Sequence, residues 1–484
     1  METIRPPLKD AFRNVTIVPM TSWTPDLSGR HGPRYRAIAD ALADDVASGR
    51  LPAGTRLPTH RDLAYRLGVT VGTITRAYAE AEKRGLIGGE VGRGTFVQGH
   101  KLLTQPSDPF SWSPALEPAI VNMTAITPEH RLTAQALGTT LAAIGASPTI
   151  AALLEYSPHA GLPAHRAAVA LWLARQHRVS AGPDNVLLTT GAQNAMAVAL
   201  AAVARPGDVV LTERLTNYGM KTLAAVEGYH LEGIAIDEHG VVPDAFDSAC
   251  RRLAPKALYL VPTMHNPTAS VMPAARRQEI ADIARRHGVL LVEDDVFGFL
   301  VREPMPIQAI APDITLYVSS LSKSVSAGLR VGFVVAPQPL VPRVEAVIRA
   351  LQYSSPPLPA EVAARWIADG SADRFADHQR SEAAARQQLA RSILPANVVC
   401  GHSAAQHLWV ALPEPWRRDD FVAEAARRNV KITGGDVFAV GRAGAPHAVR
   451  LGLCHPTSHD DLARGLRTLA ETLANPESAM LSIV

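Results

Sequence analysis

The sequence predicts a multidomain chain, in which a small helical unit precedes a larger α/β domain ending in a smaller α+β part. Three observations carry this. The 484 residues are too many for one ordinary core, and 47% hydrophobic against 19% charged residues is the balance of a folded chain with two or three globular units. Pro33 to Val97 carries helical periodicity broken by glycine at short intervals. From about Ile120 onward, short apolar runs alternate with helical stretches, the rhythm of a mostly parallel sheet covered by helices.

Bulk properties narrow the function classes. The formal net charge of +3, from 48 Lys and Arg against 45 Asp and Glu, is too small for a polybasic surface, so any nucleic-acid contact must be local. Cys250, Cys400 and Cys454 share no short spacing of a zinc knuckle or disulfide framework, which suits a reducing compartment. "METIRPPLKDAFRNVTIVPM" places charges where an export signal needs an apolar core, and "AMAVALAAVA" is too short to span a bilayer. The expectation is a cytoplasmic chain without a membrane segment. His60, His159 and His265 lie near the motifs below, but no ligand spacing surrounds them and no metal site is expected.

Residues 1–30 are polar and proline-bearing, an irregular lead-in. Residues 31–98 read as the helix "RYRAIADALADDVASG", the turn "RLPAGTRLP", the short helix "THRDLAYRLG" and the longer helix "TVGTITRAYAEAEKRG". Thr59 with Asp62 is a capping-box-like start, Thr70 can cap the third helix, and Gly49, Gly68 and Gly85 close helices. Ile74, Tyr78 and Ala81 share one side of the long helix, while Thr73, Arg76 and Lys83 lie away from much of it. "LIGG" and "GTFVQG" then form a candidate hairpin. Three helices and a wing make the winged helix-turn-helix plan, whose recognition helix enters the major groove. Three-helix units also serve as dimerisation modules, and periodicity alone leaves both readings open. From Pro33 to Val97 ten Lys and Arg stand against seven Asp and Glu, a surplus equal to that of the whole chain and suited to a phosphate backbone.

The stretch from Gly49, "GRLPAGTRLPTHRDLAYRLGVTVGTITRAYAEAEKRGLIGGEVGRGTFV", closely resembles the DNA-binding domain of the GntR family. The resemblance implies a double-stranded DNA operator as partner, faced by Arg61 and by Thr70, Val71, Thr73 and Arg76 around the recognition helix, with Gly92, Arg93 and Gly94 in the wing. Val71 stands where many members place arginine, and Gly88 and Gly89 where basic residues are common. A valine cannot make arginine's bidentate contact with guanine but can pack on a thymine methyl, so the operator should differ from the commonest one.

Residues 99–118 are turn-rich and read as a linker. In residues 119–484, "NVLLTT", "DVVLTE", "ALYLVP", "VLLVED" and "ITLYVSS" read as strands, with helices through "AMAVALAAVA" and "AARRQEIADIARRHG". Function in such sheets lies at the carboxyl ends of strands, where Asn266, Asp294 and Lys323 fall. Singly, a lysine there is most simply a solvated surface residue and an aspartate a helix cap. Together they supply what an aldehyde cofactor needs: Lys323 for a Schiff base, Asp294 to keep a pyridine nitrogen protonated, and Asn266 as donor to a ring oxygen. Ser320, Ser322, Arg330 and backbone N–H groups near Gly191, Ala192 and Gln193 are candidate phosphate donors at a helix start.

From about Leu154 the chain resembles a fold type I pyridoxal-phosphate enzyme of the aspartate aminotransferase superfamily, through "YSPHAGLPAHR", "TTGAQNAM", "NPT", "VEDDV", "SSLSK" with Arg330, and "VRLGL". The resemblance implies pyridoxal 5'-phosphate as cofactor, an internal aldimine on Lys323, Asp294 on the pyridine nitrogen, Asn266 on the phenolic oxygen, Tyr218 over or beside the ring, and Arg450 on a ligand carboxylate. It also implies a homodimer in which Tyr156 reaches the neighbouring subunit's phosphate site. There are two departures from the pattern. Phe297 stands where a tyrosine is usual and should remove one hydrogen bond to the ring oxygen, an effect of about 1 kcal/mol. Ala269 replaces the usual glycine after "NPT", a change that a position needing positive φ would resist.

The order of the two domains is similar to the MocR subfamily of bacterial transcriptional regulators. That resemblance implies a pyridoxal-phosphate-dependent, sequence-specific DNA-binding regulator that senses a small amine or amino acid through an external aldimine. The alternative is an aminotransferase with a fused DNA-binding domain, and the sequence leaves enzymatic turnover open.

Overall fold

The computed structural model describes residues 23–28, 32–47, 50–51, 55–83, 86–90, 94–97, 120–441 and 446–475. Gly49, Gly85, Gly92, Arg93 and the expected linker 99–118 lie outside the described residues, as does most of the lead-in. The chain divides into two compact units, Met1–Asp108 and Pro109–Val484.

The first unit holds α1 (Arg34–Ala47), α2 (His60–Leu67), α3 (Val71–Lys83), β1 (Ile87–Glu90) and β2 (Gly94–Val97). Local chemistry sets the helix ends. The Thr59 hydroxyl accepts the Asp62 N–H at 3.2 Å, Gly68 closes α2 at φ 61°, and the Thr70 hydroxyl accepts the Thr73 N–H at 3.2 Å. Ile38 and Leu42 of α1, Leu63 of α2 and Ile74 and Tyr78 of α3 meet in one core with Val97 of β2. Each large apolar side chain so enclosed contributes roughly 2 kcal/mol. β1 and β2 pair antiparallel, Ile87 opposite Val97.

The second unit opens with β3 (Val121–Asn122), α4 (Arg131–Gly145) and α5 (Pro163–Trp172), then builds a seven-stranded sheet. Its early elements are β4 (Val186–Thr189), α6 (Ala192–Val203), β5 (Val209–Glu213), α7 (Tyr218–Glu227) and β6 (His230–Ile234). A two-residue hairpin, β7 (Ile236–Asp237) with β8 (Gly240–Val241), precedes β9 (Ala257–Leu260), β10 (Leu290–Asp294), β11 (Thr315–Ser320) and β12 (Gly332–Val335). The order across the sheet is β4-β12-β11-β10-β9-β5-β6, and only β12 runs antiparallel to its neighbours. β4, β9, β11 and β12 are buried along their whole length, because helices cover both faces.

A smaller antiparallel sheet follows, with order β13 (Val399–Cys400), β14 (His407–Ala411), β17 (Ala448–Gly452) and β16 (Thr433–Gly434). β15 (Val430–Lys431) pairs in parallel with β3, so the start of this unit is stitched to its end. Among the described residues no helix is long and apolar enough to cross a membrane.

Candidate functional site

The parallel strands deliver their ends to one place. Asp294 is the last residue of β10, Asn266 follows β9, and Lys323 lies in the turn after β11, so three neighbouring strands present an acid, an amide and an amine at their carboxyl ends. β5 leads to Tyr218 at the start of α7, and β4 to Gly191 at the start of α6. All of these except Gly191 border a cleft of about 550 Å³. Lys323, Asp294, Asn266, Tyr218, Ala192, Gln193, Ser320, Ser322, Arg330 and Arg450 all line it.

Gly191 is needed there for a steric reason. At φ 92° its position would send a Cβ to 2.3 Å from Arg330 Nη2, so only glycine lets that guanidinium reach across to donate to the Thr190 carbonyl at 3.0 Å. The α6 N-terminus has no side-chain cap, which leaves backbone N–H groups toward the same corner. The Ser322 hydroxyl is buried without a hydrogen-bond partner, while Ser320 Oγ accepts the Ser322 N–H at 3.3 Å. An unmet hydroxyl, a helix N-terminus and an arginine are the donor set of a phosphate site.

Lys323 Nζ donates to the Ile126 carbonyl at 2.5 Å. Burial, followed by the Arg450 charge, pushes the Lys323 amine down to about 8 against the pull of Asp294. Burial pushes the Asp294 carboxyl up to about 6, opposed by hydrogen bonds from the Tyr259 hydroxyl at 2.7 Å and the Val296 N–H at 3.4 Å. Arg450, on β17, is buried and pushed down to about 9; it donates to Asn266 Oδ1 at 2.8 Å and to the Thr124 carbonyl, and its guanidinium lies 4.9 Å from the Phe438 ring centre. Among the described residues no group of three or more His, Cys, Asp or Glu side chains is placed to hold a metal ion.

Phe297 lines the cleft, and its ring packs on His407 at 5.4 Å, so this wall offers no phenol. The Ala269 expectation is corrected. Ala269 sits at φ 56° with its N–H on the His265 carbonyl, so the chain has placed alanine in a left-handed position at a cost of about 1 kcal/mol. Tyr156 is 85% exposed, meets Tyr353 at 4.9 Å and does not line its own chain's cleft.

In the first unit Arg61, Thr70 and Arg76 are exposed, and Val71 is 44% exposed at the start of α3. Thr73 is half-buried, its hydroxyl 2.9 Å from that of Thr70. Gly94 opens β2 opposite Glu90. Thr75, one helical turn after Val71, and Tyr65, 89% exposed on α2, are also exposed in this unit.

Comparison with known proteins agrees with this division. The family profile for aminotransferase class I and II matches residues 132–468, and that for bacterial regulatory proteins of the gntR family matches residues 34–97. An uncharacterized HTH-type transcriptional regulator of Bacillus subtilis, YdeF, is 29% identical over 453 residues, covering 93% of this chain and 97% of its own. A 2-aminoadipate transaminase of Thermus thermophilus is 27% identical over 338 residues, 66% of this chain and 81% of its own. Among solved structures, an archaeal alanine:glyoxylate aminotransferase superposes with a TM-score of 0.68 at 22% identity, over 74% of this chain and 91% of its own, a likeness of fold alone. This fold implies pyridoxal phosphate, and the phosphate donors, the Asp294 carboxyl and the Lys323 amine that line the cleft fit that group.

Proposed function

Because the chain belongs to the aminotransferase class I and II family and carries a gntR-type helix-turn-helix ahead of it, as MocR-type regulators do, we propose a specific role. It is a pyridoxal-phosphate-dependent, sequence-specific DNA-binding transcriptional regulator of the bacterial cytoplasm that senses a small amine or amino acid. The observation that carries this reading is the convergence of Lys323, Asp294, Asn266, Arg330 and Arg450 on one cleft in a chain that also bears a helix-turn-helix.

When bound, the cofactor supplies an aldehyde that condenses with a primary amine. The rest is done by the chain's own groups. Lys323 is the resident amine, and its lowered basicity makes it a ready nucleophile and an equally ready leaving group for an incoming amine. Asp294 would pair with the ring nitrogen, Asn266 would bond the ring oxygen and Tyr218 would lie over or beside the ring. Arg330, Ser320, Ser322 and the α6 N-terminus at Gly191, Ala192 and Gln193 would hold the phosphate. Arg450 takes a ligand carboxylate through its planar fork, which suits that anion better than an ammonium would. Ligand binding beside Lys323 and Arg450 would bias the large unit toward one state, and DNA affinity would change by linkage. Arg61, Thr70, Val71, Arg76 and the wing meet the operator.

The working form is a homodimer. The 85% exposed Leu154 and Tyr156, with Tyr353 against Tyr156, support a second copy on that face, with Tyr156 serving the neighbour's cleft.

The test is the visible spectrum of the full chain with pyridoxal phosphate, titrated with amines and amino acids, with Lys323→Ala beside it. A band that needs Lys323, shifts with one ligand and does not cycle when a keto acid is added supports a sensor. Repeated cycling makes the chain an aminotransferase, and no lysine-dependent band removes the cofactor.

A further inference from the structure

We propose that Tyr259 is a positioning residue for Asp294, holding that carboxylate in place and in its charged form from the neighbouring strand. The inference rests on the cofactor reading above, since it concerns the acid assigned to the ring nitrogen.

Tyr259 lies on β9, in register with Val292 of β10, and is fully buried. Its hydroxyl donates to Asp294 Oδ2 at 2.7 Å. Asn217 lowers the same phenol's pKa against the stronger upward push of burial, and it caps α7, its Oδ1 accepting the Gly219 N–H at 3.2 Å. A relay thus runs from β9 through the Tyr259 hydroxyl to the Asp294 carboxylate. Asn217 and Asp294 line the cleft while Tyr259 does not, so Tyr259 acts through its neighbour.

Chemistry fixes the direction of the relay. An ionised carboxylate only accepts, and burial beside that carboxylate keeps the Tyr259 phenol protonated far into the alkaline range. Tyr259 has work to do because burial and two neighbouring carboxylates oppose a charged Asp294. Burial, Asp295 and Glu213 all push its carboxyl up, and the other bond to it, from Val296, is a long 3.4 Å. Without the phenol, Asp294 takes up a proton more readily and turns more freely, and a neutral acid cannot oppose a pyridinium. A tyrosine serving only as packing would have no such consequence.

The experiment uses the full chain with Tyr259→Phe, which keeps the ring and deletes the hydroxyl. Dissociation constants are measured from the visible band for pyridoxal phosphate and for its analogue with carbon in place of the ring nitrogen. Loss of one hydrogen bond to a charged group should weaken pyridoxal phosphate by about tenfold or more and leave the carbon analogue unchanged. The analogue also reports whether the variant is folded. Equal weakening of both ligands, or of neither, overturns the proposal. Asp294→Asn separates the two layers. It should weaken pyridoxal phosphate and abolish any further effect of Tyr259→Phe. Unchanged affinity in Asp294→Asn would overturn the role of Asp294 itself, whereas additive losses would overturn the coupling alone.

Discussion

Lys323 has to be neutral to add to a carbonyl, and an ordinary lysine of pKa 10.5 is neutral in only about three molecules in ten thousand at pH 7. Burial and the Arg450 charge bring this amine to about 8, which raises that share to about one in ten. The sign follows directly: the rate at which pyridoxal phosphate develops its visible band should climb with pH and level off just above 8. Stopped-flow absorbance across pH 6 to about 10.5 checks this, and a rate still climbing steeply at the top of that range would contradict it. Arg450→Gln should move the midpoint upward by removing the repulsion. The residues behind this prediction were legible in the sequence because lysine, aspartate and asparagine, each ordinary alone at a strand end, are informative together. Tyr259 was not legible. A tyrosine in "ALYLVP" reads as one more apolar strand residue, and only the register of β9 against β10 puts its hydroxyl beside Asp294.

Between β3 and α4, residues 123–127 are tied to ligand-facing groups by their backbone. The Ile126 carbonyl accepts Lys323, the Thr124 carbonyl accepts Arg450, and the Met123 carbonyl accepts the Gly452 N–H at 2.7 Å. The fit is close: a Cβ on Gly452 would lie 1.8 Å from the Ala125 carbonyl oxygen. Gly452→Ala should therefore push the segment off β17, at a cost of about 1–3 kcal/mol and a Tm lower by a few degrees, and should weaken carboxylate-bearing ligands by displacing Arg450. Calorimetry with a ligand titration would show it, and an unchanged Tm with unchanged affinity would mean that the segment yields freely. Strands with several consecutive β-branched or large apolar residues, such as "NVLLTT" and "VLLVED", announce themselves in sequence. β3 has two residues, β12 contributes only "GFVV", and "HLEGI" of β6 is half-exposed, so none presents enough pattern to stand apart from a loop. The antiparallel insertion of β12 between β4 and β11 is a property of the closed sheet, with no local signature.

At the scale of the whole chain, the question is whether the cleft and the helix-turn-helix share one equilibrium. Linkage makes this answerable without knowing how the units are arranged. If a ligand changes operator affinity by some factor, operator DNA must change the ligand's affinity by the same factor. A DNA fragment selected by binding to the full chain serves as operator, and an amine or amino acid found from the spectral titration serves as ligand. Ligand binding is then followed by the visible band with and without saturating DNA, and DNA binding is followed with and without saturating ligand. Two equal factors, typically between about 5 and 150, are the expected result. Salt must be held fixed, because counterion release alone moves DNA affinity by orders of magnitude. Lys323→Ala should retain DNA binding yet show a factor of one in the DNA arm, since the ligand's covalent site is what distinguishes the two states. A factor of one for the unmodified chain in both arms would separate the two functions and leave an aminotransferase-like domain that does not inform the DNA-binding unit.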